Sequence, residues 1–162
     1  VLPLVVVGSA PYSDAYTERI ASLADERVRL PGGIWDQELL DQLYAGALVY
    51  YHGHSVGGTN PSLLRAIGAG AAVDAFNVSF NREVLGDAGR YWTGADDVAR
   101  LVASAEADPA AQAARGELSR ERAALYDWDE VADRYEALCR ELAASGPRSD
   151  RPSGRRAGIA PS

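Results

Sequence analysis

Apolar and polar positions fall in short alternating blocks. "PLVVVGSAP", Pro3 to Pro11, is an unbroken apolar run closed by Gly8 and Pro11, the pattern of a strand buried on both faces of a parallel sheet. Ser13 or Asp14 then caps a helix with Tyr16, Ile20 and Leu23 on one side. "RVRLPGGIW" reads as a second strand with a glycine turn, and "DQELLDQLYAGA" as a helix capped by Asp36. "ALVYYHGH", "AAVDAF" and "RYWTG" predict further strands, separated by the helices "PSLLRAIGAG" and "NREVLGDAG". Such alternation needs crossover connections, and so predicts an α/β fold: a Rossmann-like parallel sheet of four to five strands with helices on both faces.

From Ala95 the pattern is helical only. Val98, Leu101 and Val102 recur at helical spacing, then Leu118 to Leu125, then Trp128, Val131, Tyr135, Leu138 and Leu142, with Gly146 ending the last helix. The closing "PRSDRPSGRRAGIAPS" has almost nothing to bury, so one domain over residues 1–145 and a disordered tail over 146–162 are expected.

Composition narrows the function classes. A chain of 162 residues with 47% apolar content and a net charge of −7 is long enough for one buried core and too acidic for a nucleic-acid partner. No apolar run approaches the roughly 18 residues that span a bilayer, and the N-terminus lacks the features of a secretory signal, so a cytoplasmic protein is expected. The single cysteine, Cys139, excludes a disulfide framework and reads as a buried structural thiol. All 16 basic residues are arginine.

The chemistry concentrates in "HSVGGTNP", which follows the third strand where ligands bind in parallel sheets. Asn60 is a preferred N-cap, Pro61 fits the first helical position, and Gly57 and Gly58 let backbone amides approach an anion. Spacing alone leaves open a phosphate cradle or a tight turn. The dinucleotide fingerprint and the P-loop are both missing. His52 and His54 share a strand face, which suits a metal, a polar ligand contact or structural hydrogen bonding, although no carboxylate or cysteine cluster accompanies them. Asp74 interrupts an apolar strand, where a buried charge needs a partner unless the residue lies at the strand's end.

Four segments in order resemble the C-terminal, donor-binding domain of GT-B retaining glycosyltransferases of the family 4 type. They are "VRLPGGIWDQELLDQLYAGA", "GGTNPSLLRAIGAGAAV", "NREVLGDAG" and "YDWDEVADRYEAL". The wording "HGHSVGGTNPSLL" with "FNREVLG" is most similar to bacterial polysaccharide rhamnosyltransferases. The resemblance implies a nucleotide-sugar donor, no cofactor and no metal. It places donor contacts at Gly33, Ile34, His54, Gly57, Gly58, Thr59, Asn60, Arg65 and Glu83 and leaves the catalytic group unassigned. It also implies a missing N-terminal GT-B domain that binds a polysaccharide or lipid-linked acceptor, at the inner membrane face. The family's two signature glutamates correspond to Gly57 and Arg65, and the second change replaces an acceptor carboxylate by a donor-only guanidinium. The alternative is a non-catalytic nucleotide-binding or interaction module derived from such a domain.

Overall fold

The computed structural model describes residues 2–9 and 14–145. It divides into a larger unit ending at Tyr126 and a smaller one beginning at Asp127. The larger unit runs β1 (Leu4–Val7), α1 (Asp14–Leu23), β2 (Val28–Gly32), α2 (Gln37–Gly46), β3 (Tyr50–His52), α3 (Pro61–Gly68), β4 (Val73–Phe76), α4 (Ser79–Leu85), β5 (Gly89–Trp92), α5 (Ala95–Ala107) and α6 (Pro109–Ala123). All five expected strands form and every pairing is parallel, with β1 on β2 and, separately, β3-β4-β5 in that order. The fold is α/β and Rossmann-like, with its strands shared between two small sheets. β1 departs from its expected burial: Leu4 is 50% exposed and Val7 38%, so neither face of the strand is fully covered.

The core lies around β4. Leu63, Ala66 and Ile67 recur at helical spacing on α3 and are fully buried with Val73, Ala75, Val84 and Leu85, so one apolar helix face closes over a continuously buried strand. α6 comes so close that a Cβ on Gly116 would collide with the carbonyl oxygen of Gly70. Gly70 itself ends α3 in the left-handed region, at a φ of +79°.

Asp74 is a buried charge with partners rather than a strand end. It is the second residue of β4 and fully buried. Its Oδ1 accepts from Arg90 Nε at 3.0 Å and from an Arg115 terminal nitrogen at 2.9 Å, and its Oδ2 accepts from Arg90 at 3.1 Å. Arg115 also donates to the Val73 carbonyl at 2.5 Å and to Gln112 Oε1 at 2.7 Å. One carboxylate thus joins β4, β5 and α6.

The smaller unit holds α7 (Trp128–Ala144), capped by the Asp127 side chain on the Asp129 amide. The expected burial of Cys139 does not occur: the thiol is exposed, and α7 contains no buried residue, since a single amphipathic helix has no second layer of its own to cover it. Ser13, Gly146 and the arginine-rich tail lie outside the described residues. Among the described residues no helix is long and apolar enough to cross a membrane.

Candidate functional site

β3 delivers the chain at His52 to the loop 53–60, and α3 starts at Pro61. Asn60 has extended backbone, and its side-chain oxygen accepts from the Ser62 amide at 2.9 Å and the Ser62 hydroxyl at 2.6 Å. Pro61 occupies the first helical position, where an amide would have no helical partner. Residues 53–59 are exposed, which leaves the backbone around Gly57, Gly58 and Thr59 facing solvent at the N-terminus of α3. Gly57 has a φ of +113°, a conformation that strains any side chain and explains glycine at this point.

Below the loop is a partly buried polar row that ends on the fully buried His52. His52 Nδ1 lies 3.2 Å from the Tyr50 hydroxyl, which lies 3.2 Å from the Ser62 hydroxyl. The Asn60 oxygen is acceptor-only, so Ser62 donates its hydrogen there; Tyr50 then donates to Ser62, and His52 donates from Nδ1 to Tyr50. This count leaves His52 Nε2 as an acceptor, and it has no hydrogen-bond partner. Burial, then the neighbouring His54, lowers the His52 pKa to about 4, and burial raises that of Tyr50 to about 12, so the row is neutral at physiological pH. His54 is exposed and stacks on His52 with ring centroids 4.8 Å apart.

The loop is tied down from α4. Asn81, fully buried, donates from Nδ2 to the His54 carbonyl at 3.0 Å and to the Phe76 carbonyl at 2.9 Å. The sequence reading missed Asn81. Its signal was a polar residue on the helix face shared with Val84 and Leu85, a face that is buried.

The structure brings His54, Gly57, Gly58, Thr59 and Asn60 together on one loop. Gly33 and Ile34 lie in the turn between β2 and α2, where a Cβ on Gly33 would be 3.3 Å from Ser9 Oγ. Arg65 is engaged elsewhere: its Nε pairs with Asp41, one terminal nitrogen meets the Gln37 side chain, and the other donates to the Gln37 carbonyl at 2.9 Å. The side-chain hydrogen bond to Arg65 lowers the Asp41 pKa, and the reciprocal bond raises that of Arg65. Gln37 opens α2 and Arg65 stands in the last turn of α3, so this bridge joins α2 to α3. Glu83 is exposed on α4, and its carbonyl accepts from Arg122 at 2.5 Å. Among the described residues no group of three or more metal-ligating side chains converges.

No family model matches the chain, and no curated protein sequence matches it. Solved structures do. Sucrose-phosphate synthase from Thermosynechococcus elongatus superposes with a TM-score of 0.77 at 28% identity, over 88% of this chain and 39% of its own. HepE from Anabaena, in complex with UDP, gives 0.72 at 17% identity, over 88% of this chain and 41% of its own. The pneumococcal O-GlcNAc transferase GtfA, in complex with UDP and GlcNAc, gives 0.61 at 20% identity, over 88% of this chain and 30% of its own. The chain therefore spans well under half the length of each, and has the Rossmann-like fold found in these GT-B glycosyltransferases.

Proposed function

We propose that the chain is the donor-binding domain of a retaining GT-B glycosyltransferase of the family 4 type, most similar to bacterial polysaccharide rhamnosyltransferases. It would transfer a sugar, rhamnose, from a nucleoside-diphosphate sugar to a polysaccharide or lipid-linked acceptor. The observation that carries this reading is the loop Gly57–Asn60, exposed as far as Thr59, at the N-terminus of α3 beyond the carboxyl end of β3 in a parallel sheet. Amides of Gly58, Thr59 and Asn60 are the candidate donors to the diphosphate, and with arginine they would stabilise its charge as it departs. An N-terminal GT-B domain completes the site and presents the acceptor at the inner membrane face.

Arg65 acts in this reading as a brace between α3 and α2 rather than as a ribose ligand. A second reading, a nucleotide-binding or interaction module without catalysis, is favoured by the same residue, because its guanidinium is held by Asp41 and Gln37 where the family carries a ribose-binding glutamate. Calorimetry with UDP, dTDP and GDP on the chain and on Arg65→Glu tests the proposal. The chain binds one of these nucleotides weakly and transfers no sugar by itself. Arg65→Glu sets a second carboxylate against Asp41 and removes a charged hydrogen bond, which destabilises the brace by roughly 1.5–3 kcal/mol and does not tighten nucleotide binding. Tighter binding by Arg65→Glu shows instead that the position is a ribose contact. No binding by either folded protein ends the donor reading and leaves the interaction module.

A further inference from the structure

Trp128, Val131, Tyr135, Leu138 and Leu142 recur along α7 at alternating intervals of three and four, and all are exposed, from 37% at Val131 to 77% at Trp128. That spacing averages 3.5 residues and lays one narrow apolar stripe along the helix, the pattern of two helices wound together. Away from the stripe α7 satisfies itself: Arg134 pairs with Glu130 and Arg140 with Glu136, each across one turn of its own surface. Large apolar side chains scattered singly are ordinary on a protein surface, but a continuous stripe with two aromatic rings marks an interaction site.

The order of residues along the stripe selects what lies on it. A symmetric pair repeats every contact, so its surface must be complementary to itself. Laid antiparallel on a second α7, Tyr135 faces Leu138, Val131 faces Leu142, and Trp128 at the start of the helix faces Ser145 at its end. Larger side chains then meet smaller ones in successive layers, as close packing requires. Beside this core, Arg134 of each copy meets Glu141 of the other. Glu141 has no ion pair among the described residues, and the Arg134 guanidinium, held to Glu130 through one nitrogen at 3.1 Å, keeps further donors. Laid parallel and in register, the helices would instead stack Trp128 on Trp128 and Tyr135 on Tyr135, and would set Arg134 against the uncharged Cys139. Shape and charge both select the antiparallel pair.

We infer that α7 is an interface between two copies of this chain, formed by antiparallel pairing of the stripe from Trp128 to Leu142 and flanked by two ion pairs between Arg134 and Glu141. Five side chains from each copy bury on the order of 1,000 Å², the lower end for a specific interface, so the dimer is weak and depends on concentration. The pairing does not depend on nucleotide binding, and a failure of either reading leaves the other standing.

Sedimentation equilibrium on the full chain tests the interface. The parent is a monomer at about 1 µM and dimerises as the concentration rises to about 1 mM. Tyr135→Asp abolishes the dimer. Arg134→Glu alone and Glu141→Arg alone each weaken it by about tenfold at low salt, and the two together restore it to within about threefold of the parent, because the charges across the interface are opposite again. Three results overturn the inference. A parent that is monomeric at about 1 mM shows that the stripe serves a different partner or the remainder of a longer polypeptide. A dimer that survives Tyr135→Asp lies on another surface. A dimer that ignores the single charge changes, or that the paired exchange does not restore, is not the antiparallel pair.

Discussion

Replacing Asp74 by asparagine leaves the shape of β4 unchanged and removes one charge. The asparagine nitrogen then faces an arginine that can only donate, and two guanidinium groups remain around it with side chains only 26% and 15% exposed, at Arg90 and Arg115. Breaking a buried ion pair by removing one partner costs about 3–5 kcal/mol, and a domain of this size has only about 5–15 kcal/mol in all. With about 3–5 °C lost per kcal/mol between the small-domain and large-domain ranges, Asp74→Asn should lower Tm by roughly 10–20 °C. Thermal unfolding followed by tryptophan fluorescence is well placed to read this, because the Trp92 indole nitrogen lies 3.4 Å from the Asp74 carbonyl oxygen. Arg115→Ala should cost more than Arg90→Ala, since Arg115 is the more buried and also holds the Val73 carbonyl. The triple replacement of Asp74, Arg90 and Arg115 by leucine should recover most of the loss, as apolar substitutes for buried ion networks do. A stability of Asp74→Asn within about 1 kcal/mol of the parent would refute the reasoning, because that is the range of an exposed pair.

Three further outcomes follow from the same geometry. The folded pKa of His52, about 4, lies below its ordinary 6.5, so between these values the unfolded chain binds more protons: stability is complete above about pH 6.5 and falls by about 3 kcal/mol as pH drops to 4. His52→Asn should flatten that limb, and a parent curve that is already flat between pH 7 and pH 4 would contradict the assignment. Gly116→Ala should destabilise by about 1–3 kcal/mol in thermal unfolding, despite the better helix propensity of alanine, because its Cβ meets the Gly70 backbone. Asn81→Leu should cost about 1–3 kcal/mol and speed amide exchange across residues 54–59, by freeing the His54 and Phe76 carbonyls; unchanged exchange there would show that the loop is held by something else.

The parts of the fold written locally were legible in the sequence. Short apolar runs located all five strands, and Asn60 with Pro61 located the start of α3, because a cap acts within three residues of itself. Asp74 was not legible: its account needs Arg115, 41 positions away on a helix whose packing no periodicity specifies. Arg65 was singled out by resemblance, yet the residues it meets, Gln37 and Asp41, lie on a different helix, 28 and 24 positions earlier. Periodicity gave the apolar side of α7 but not what covers it, so the burial of Cys139 was misjudged. The break between the sheets was invisible for a related reason, since an apolar run shows that a strand has faces to bury and says nothing about which strand lies beside it.

Titration of the isotope-labelled chain with UDP, followed by backbone amide shifts, asks whether the loop after β3 binds a nucleoside diphosphate. Saturable shifts should gather at Gly57, Gly58, Thr59 and Asn60, extend to Gly33 and Ile34 in the turn after β2, and leave α6 unmoved. Saturable shifts confined to the opposite edge, around Ala47–Val49 and Gly70–Ala72, or none at all from a folded chain, would contradict the account.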